Sequence, residues 1–139
     1  MALVNEFGKP DLFVTFTCNP NWPEITGSLL PHQTFSDRPD IVCRVFNLKL
    51  KELIKDLTTD HILGAVVAYT LSVEFQKRGL PHAHILLMLR DADKFRDPRR
   101  IDNLIWAEIP DQITNPRLFE LVSKFMIHGP HTAKSTCME

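Results

Sequence analysis

Cysteine is scarce in this chain. Cys18, Cys43 and Cys137 are odd in number and widely spaced, with no C-x-x-C pair among them. That argues against a disulfide framework and suits a reducing compartment, each thiol serving as a small buried hydrophobe. Long apolar runs are missing too: nothing approaches the roughly 18 residues of a membrane span, which argues against an integral membrane protein. The opening "MALVNEFGKPDLF" has no basic region leading into an apolar stretch, so no secretory signal is expected. Gly-Lys-Ser/Thr occurs nowhere, so no nucleotide-binding loop of that kind is expected. Internal repeats and low-complexity tracts are absent as well. A formal net charge of −1 gives no overall basic character of the sort that advertises a nucleic-acid binder.

What is present fits an ordinary globular protein. The 139 residues are enough for about one domain, with 44% hydrophobic and 24% charged residues. The basic residues are unevenly spread. Lys77 and Arg78 sit together, and Lys94, Arg96, Arg99 and Arg100 form a second group. Such groups track phosphates or simply solvate a loop.

"DLFVTFTC", Asp11 to Cys18, is rich in β-branched and aromatic residues and predicts a strand with both faces partly buried. Asn19-Pro20 and Trp22-Pro23 force a turn, with Pro23 placed to open a short helix. A loop is expected from Leu30 to Pro39. Val42, Phe46, Leu50, Leu53 and Leu57 recur at three- and four-residue spacing and predict a helix over 40–57. A long strand follows from about Ile62 to Gln76. Then come a "KRG" turn and a third strand, "LPHAHILLML". A three-residue loop ending in Gly is a common hairpin connection, because Gly accepts the left-handed position. Asp97-Pro98 is placed to cap and begin a short helix, and 116–127 reads as a final helix. Strand, helix, hairpin and helix predict an α+β fold, an antiparallel sheet with a central hairpin flanked by helices. The end, "GPHTAKSTCME", reads as a chain stopping short of its next element, with room for half of a zinc site around Cys137.

The residues that carry chemistry lie on the hairpin. Side chains alternate along a strand, so His82 and His84 share a face about 6.5–7 Å apart. If Lys77, Arg78 and Gly79 form the loop, Gln76 pairs with Leu80 and Glu74 lies opposite His82. Glu74 and Gln76 then share the histidines' face. Two imidazoles with a carboxylate or amide oxygen and open positions describe a metal site for manganese, magnesium or zinc. A His-x-His on a strand also reads as one interior histidine beside a partly exposed one, and spacing leaves the two readings level.

"GKPDLFVTFTCNPNWPEI" together with "VEFQKRGLPHAHILLML" closely resembles the N-terminal, helicase-like replication-initiator region of Helitron transposases, which belong to the His-hydrophobic-His (HUH) single-strand endonucleases. The resemblance runs from about Ala2 to the end. "FVTFTCNP" is similar to the first motif of rolling-circle initiators, and "PHAH" matches the metal-binding second motif residue for residue. The resemblance implies an HUH-type, RRM-like core in which a divalent ion, magnesium or manganese, polarises a phosphate of single-stranded DNA. A tyrosine then attacks, leaving a 5′-phosphotyrosine link and a free 3′-OH.

Carried over, His82 and His84 are the metal ligands and the third comes from Glu74 or Gln76, since a bulge at Gly79 would shift the pairing. Lys77 and Arg78 are the first candidates for phosphate contacts. Thr15, Thr17 and Asn19 either reach DNA or the ion's water shell, or terminate the strand and cap the turn. Trp22 and Phe13 carry rings suited to base stacking, although core packing is the stronger expectation for Phe13. The family's nucleophile is a tyrosine pair on a helix downstream of the second motif. Here the single tyrosine, Tyr69, lies upstream in a strand, where packing is its expected role. Residues 1–139 are thus expected to be one partial nuclease domain without the tyrosine helix or the fused helicase. Such a domain would partner single-stranded DNA and a longer transposase or helicase chain. A nuclear location follows from the resemblance, a cytoplasmic one otherwise. The alternatives are a non-catalytic single-stranded DNA-binding module and an inactive transposon relic with exposed apolar sheet surface.

Overall fold

The computed structural model describes residues 6–76, 78–105 and 108–127. Alternation decides the first strand, β1 (Leu12–Thr17). Leu12, Val14 and Phe16 point to one side and are half-buried, whereas Phe13, Thr15 and Thr17 are exposed on the other. The expectation of two partly buried faces is therefore corrected. Apolar residues at every second position fill one face only, and the intervening positions stand clear of the core. Pro23 opens the four-residue helix α1 (Pro23–Thr26), whose Ile25 is buried.

The main helix, α2 (Pro39–Thr58), starts with Pro39 in its first turn. Val42, Phe46, Leu50 and Leu57 are buried and Leu53 packs at the margin, which is the stripe that the spacing predicts. Lys49 on α2 reaches Glu24 of α1 at 2.7 Å and lies 5.1 Å from the Trp22 ring centre. That contact anchors the short helix to the long one.

β2 (Val66–Phe75) and β3 (Pro81–Leu89) form an antiparallel hairpin, and β1 pairs with the far side of β3, giving the order β1-β3-β2. The fold is α+β, with an antiparallel three-stranded sheet and helices. β3 is the central strand, and Ala83, Ile85 and Leu87 on it are fully buried in one cluster with Val42, Phe46, Leu50 and Leu57 of α2. Each large aliphatic side chain so buried contributes about 1.5–3 kcal/mol of transfer free energy. The matching positions of β2 are different: Tyr69, Leu71, Val73 and Phe75 share this face but stay open, Phe75 with 63% exposure. A shallow depression of about 150 Å³ between α2 and this edge is lined by Cys43, Phe46, Val73 and Phe75 among others.

The hairpin has the register read from the sequence. Gln76 N–H donates to the Leu80 carbonyl (2.9 Å), Glu74 lies opposite His82, and Gly79 closes the turn at φ +76°. At its other end β2 is shorter than expected, beginning at Val66 instead of near Ile62. His61 (φ 53°) and Gly64 (φ 112°) turn the chain there, and the Asp93 carboxylate accepts from Ala65 N–H at 3.1 Å. A Cβ on Gly64 would meet that of Asp93 at 3.2 Å. The irregularity in the β2–β3 ladder falls at Val66/Ala68, far from Gly79.

The chain divides into two compact units, Met1–Phe95 and Arg96–Glu139, and the sheet belongs to the first. In the second, Asp97 caps α3 (Pro98–Leu104) by accepting from Arg99 N–H at 3.0 Å. The last helix, α4 (Pro116–Phe125), ends two residues before the expected boundary. Among the described residues no helix is long and apolar enough to cross a membrane.

Candidate metal and phosphate site

The alternation that buries Ala83 and Ile85 turns His82 and His84 to the opposite, uncovered face of β3. Their ring centres are 4.5 Å apart, edge to face. The Glu74 carboxylate, on β2, reaches diagonally past its cross-strand partner to His84, with Oε2 3.7 Å from Nε2. Side-chain exposure is 71% for Glu74 and 30% for His84, so the carboxylate is free to re-orient while the imidazole is partly held. Burial pushes the His82 imidazole below its ordinary pKa, and the neighbouring His84 adds to this, while Glu74 pulls the other way. A neutral imidazole is the form that can ligate an ion.

β1 supports both rings. Thr17 lies opposite His82, and its Oγ1 is 2.6 Å from His82 Nδ1. Phe13 stacks on His84, centres 5.5 Å apart and planes 7° from parallel. Phe13 is 60% exposed, so the expectation that it packs in the core is corrected. It holds an odd-numbered position of β1, on the side away from α2. Neither contact is readable from the hairpin alone, because both depend on β1 joining the far edge of β3.

The remaining candidates fall as follows. Gln76 and Arg78 are exposed beside the turn. Lys77 and Cys137 lie outside the described residues. Thr15 is exposed opposite His84. Asn19 Oδ1 accepts from Asn21 N–H at 2.9 Å, so its carbonyl is used in the turn after β1. Trp22 is half-buried and stacks on Phe16 at 5.8 Å. Lys94 of the second basic group is 3.6 Å from Asp11. Cys18 is buried and Cys43 half-buried, both as free thiols, and burial together with the nearby Cys43 pushes the Cys18 thiol up to about 11. Tyr69, opposite Leu87, projects from the α2 side of the sheet, away from the histidines.

Among the described residues no three His, Cys, Asp or Glu side chains converge closely enough to hold an ion as they stand. The donor chemistry nevertheless suits one: two imidazoles and an exposed carboxylate share one solvent-open face. The family described as "Helitron helicase-like domain at N-terminus" matches residues 1–87, which include the whole of β1, β2 and the His82–His84 segment. No curated protein matches the chain.

Proposed function

The chain belongs to this family of Helitron helicase-like N-terminal domains, and from that premise we propose that the open sheet face takes a divalent cation and a phosphate of single-stranded DNA. The observation that carries this reading is the pairing of His82 and His84 on the solvent-facing side of the central strand, with Glu74 alongside. His82 and His84 would hold the ion with Glu74 as the oxygen donor, Gln76 being the alternative, and this set suits magnesium or manganese. When bound, the ion would polarise the phosphate and offset negative charge developing on its oxygens.

The chain's own residues do the rest of the positioning. Arg78, with Lys77 beside it in sequence, sits at the hairpin turn next to the histidine face and supplies positive charge for the DNA backbone. Thr15 exposes a hydroxyl on the same face. Covalent cleavage calls for a tyrosine on this side of the sheet, whereas Tyr69 lies on the other. The domain in this reading binds and orients a strand, and the nucleophile comes from outside these 139 residues, in a longer transposase chain or a second molecule. A nuclear location goes with this role.

Calorimetric titration of manganese into the chain and into His82→Ala/His84→Ala tests the reading. Binding in the first and none in the second supports it; no binding in either refutes it. A second reading is DNA binding without an ion, through the exposed Arg78 and the open face of the sheet. It expects salt-dependent DNA binding that is indifferent to chelator.

A further inference from the structure

We infer that Thr17 is a positioning residue for His82: its hydroxyl accepts the Nδ1 proton and leaves Nε2 as the nitrogen offered to a ligand. The inference rests on the metal reading above for its purpose, though not for its geometry. A neutral imidazole carries one N–H, and a lone pair for a ligand remains only on the other nitrogen. Nδ1 is already engaged, 2.6 Å from Thr17 Oγ1. Any ligand to His82 is therefore met by Nε2, and that requires the proton to stay on Nδ1 and point at an acceptor. A threonine hydroxyl provides that acceptor from the neighbouring strand.

The sheet fixes the distance. Thr17 and His82 are direct cross-strand partners, in the last paired position of β1. Cβ atoms of such partners lie about 4.5–5.5 Å apart, which leaves room for one short hydrogen bond and little else. Cys18 N–H donates to the Pro81 carbonyl at 3.0 Å and closes the ladder just beyond the pair. The last Thr of "FVTFT" thereby sets which way the first imidazole of "PHAH" faces. Imidazole ligands commonly have their second nitrogen fixed by such a partner, and loss of the partner costs about 10- to 100-fold in metal affinity.

The experiment uses the full chain with 15N-labelled histidine. The ring nitrogens of His82 are assigned by long-range 1H–15N correlation in the ion-free wild type, Thr17→Ser and Thr17→Val, followed by manganese titration of each. The expected result is an Nδ1–H tautomer in the wild type and in Thr17→Ser, and reversion to the Nε2–H tautomer in Thr17→Val. Manganese affinity then falls about 10- to 100-fold in Thr17→Val and is retained in Thr17→Ser. An Nε2–H tautomer in the wild type, or no change in Thr17→Val, overturns the inference. If the tautomer follows Thr17 but the wild type takes up no manganese, the metal reading fails while the positioning of His82 by Thr17 stands.

Discussion

Ile85 and His84 are adjacent on the central strand but face opposite sides of the sheet, so truncating each in turn gives a sharp test of the arrangement. Ile85 has 0% exposure and lies in the cluster shared with α2, flanked across the ladders by Val14 and Leu71. Truncation of a buried Ile to Ala costs about 2–5 kcal/mol, depending on how far the site collapses. Leu71 sits half-open on the edge strand, so it has freedom to lean into the space. That places Ile85→Ala toward the lower part of the range, at about 3 kcal/mol. For a unit of this size the shift in melting temperature is roughly 12–24 °C. His84→Ala removes no core contact. It forfeits the stack with Phe13, worth about 0.5–1.5 kcal/mol when fully formed, and less on a face open to water. Urea titration followed by circular dichroism, fitted with a common slope, measures both. A difference of at least about 1.5 kcal/mol is expected. If His84→Ala is as damaging as Ile85→Ala, the histidines are in the core and the site described above does not exist.

The hairpin turn gives a second expectation: Gly79→Ala forces a side chain into φ +76° and should destabilise by about 1–2 kcal/mol in the same assay, although a Cβ there meets no neighbour. In metal titrations Glu74→Gln should weaken manganese binding more than Gln76→Ala, because the Glu74 carboxylate already lies beside His84. The reverse order would make Gln76 the oxygen donor. A pH series tests the state of His82. With its pKa depressed, the ring stays neutral as pH falls past the ordinary histidine value, so its protonation competes with the ion only at more acid pH. A His82 ring whose own NMR signals titrate at or above the ordinary histidine pKa would contradict a depressed value.

The hairpin and its register are legible in the sequence because everything that determines them is local. Gly79 accepts the left-handed turn, and alternation places Glu74, His82 and His84 on one face. The helix is legible for the same reason, from a stripe of apolar residues at Val42, Phe46, Leu50 and Leu57. The pairing of β1 with β3 is not local. It joins Phe16 to Ala83, far apart along the chain, and nothing in "LFVTFT" names its partner. The contacts of Thr17 with His82 and of Phe13 with His84 follow from that pairing, so they are hidden with it. Phe13 reads as a core residue by composition, and only parity along the strand puts it outside. The early start expected for β2 fails at Gly64, whose apolar neighbours Ile62, Leu63 and Ala65 look like strand but whose backbone turns. The reach of Glu74 toward His84, and not its partner His82, is a matter of side-chain rotamers.

The sheet is a single layer with a division of labour along one strand: odd-numbered residues of β3 hold the domain together, and even-numbered ones at its start carry the candidate chemistry. A copy of this sequence that lost His82, His84 or Thr17 to mutation would forfeit little of what keeps it folded. In a lineage where the proposed binding of an ion and DNA was no longer selected, the scaffold would therefore outlive the site, and a chain could keep its family's shape long after its open face had changed.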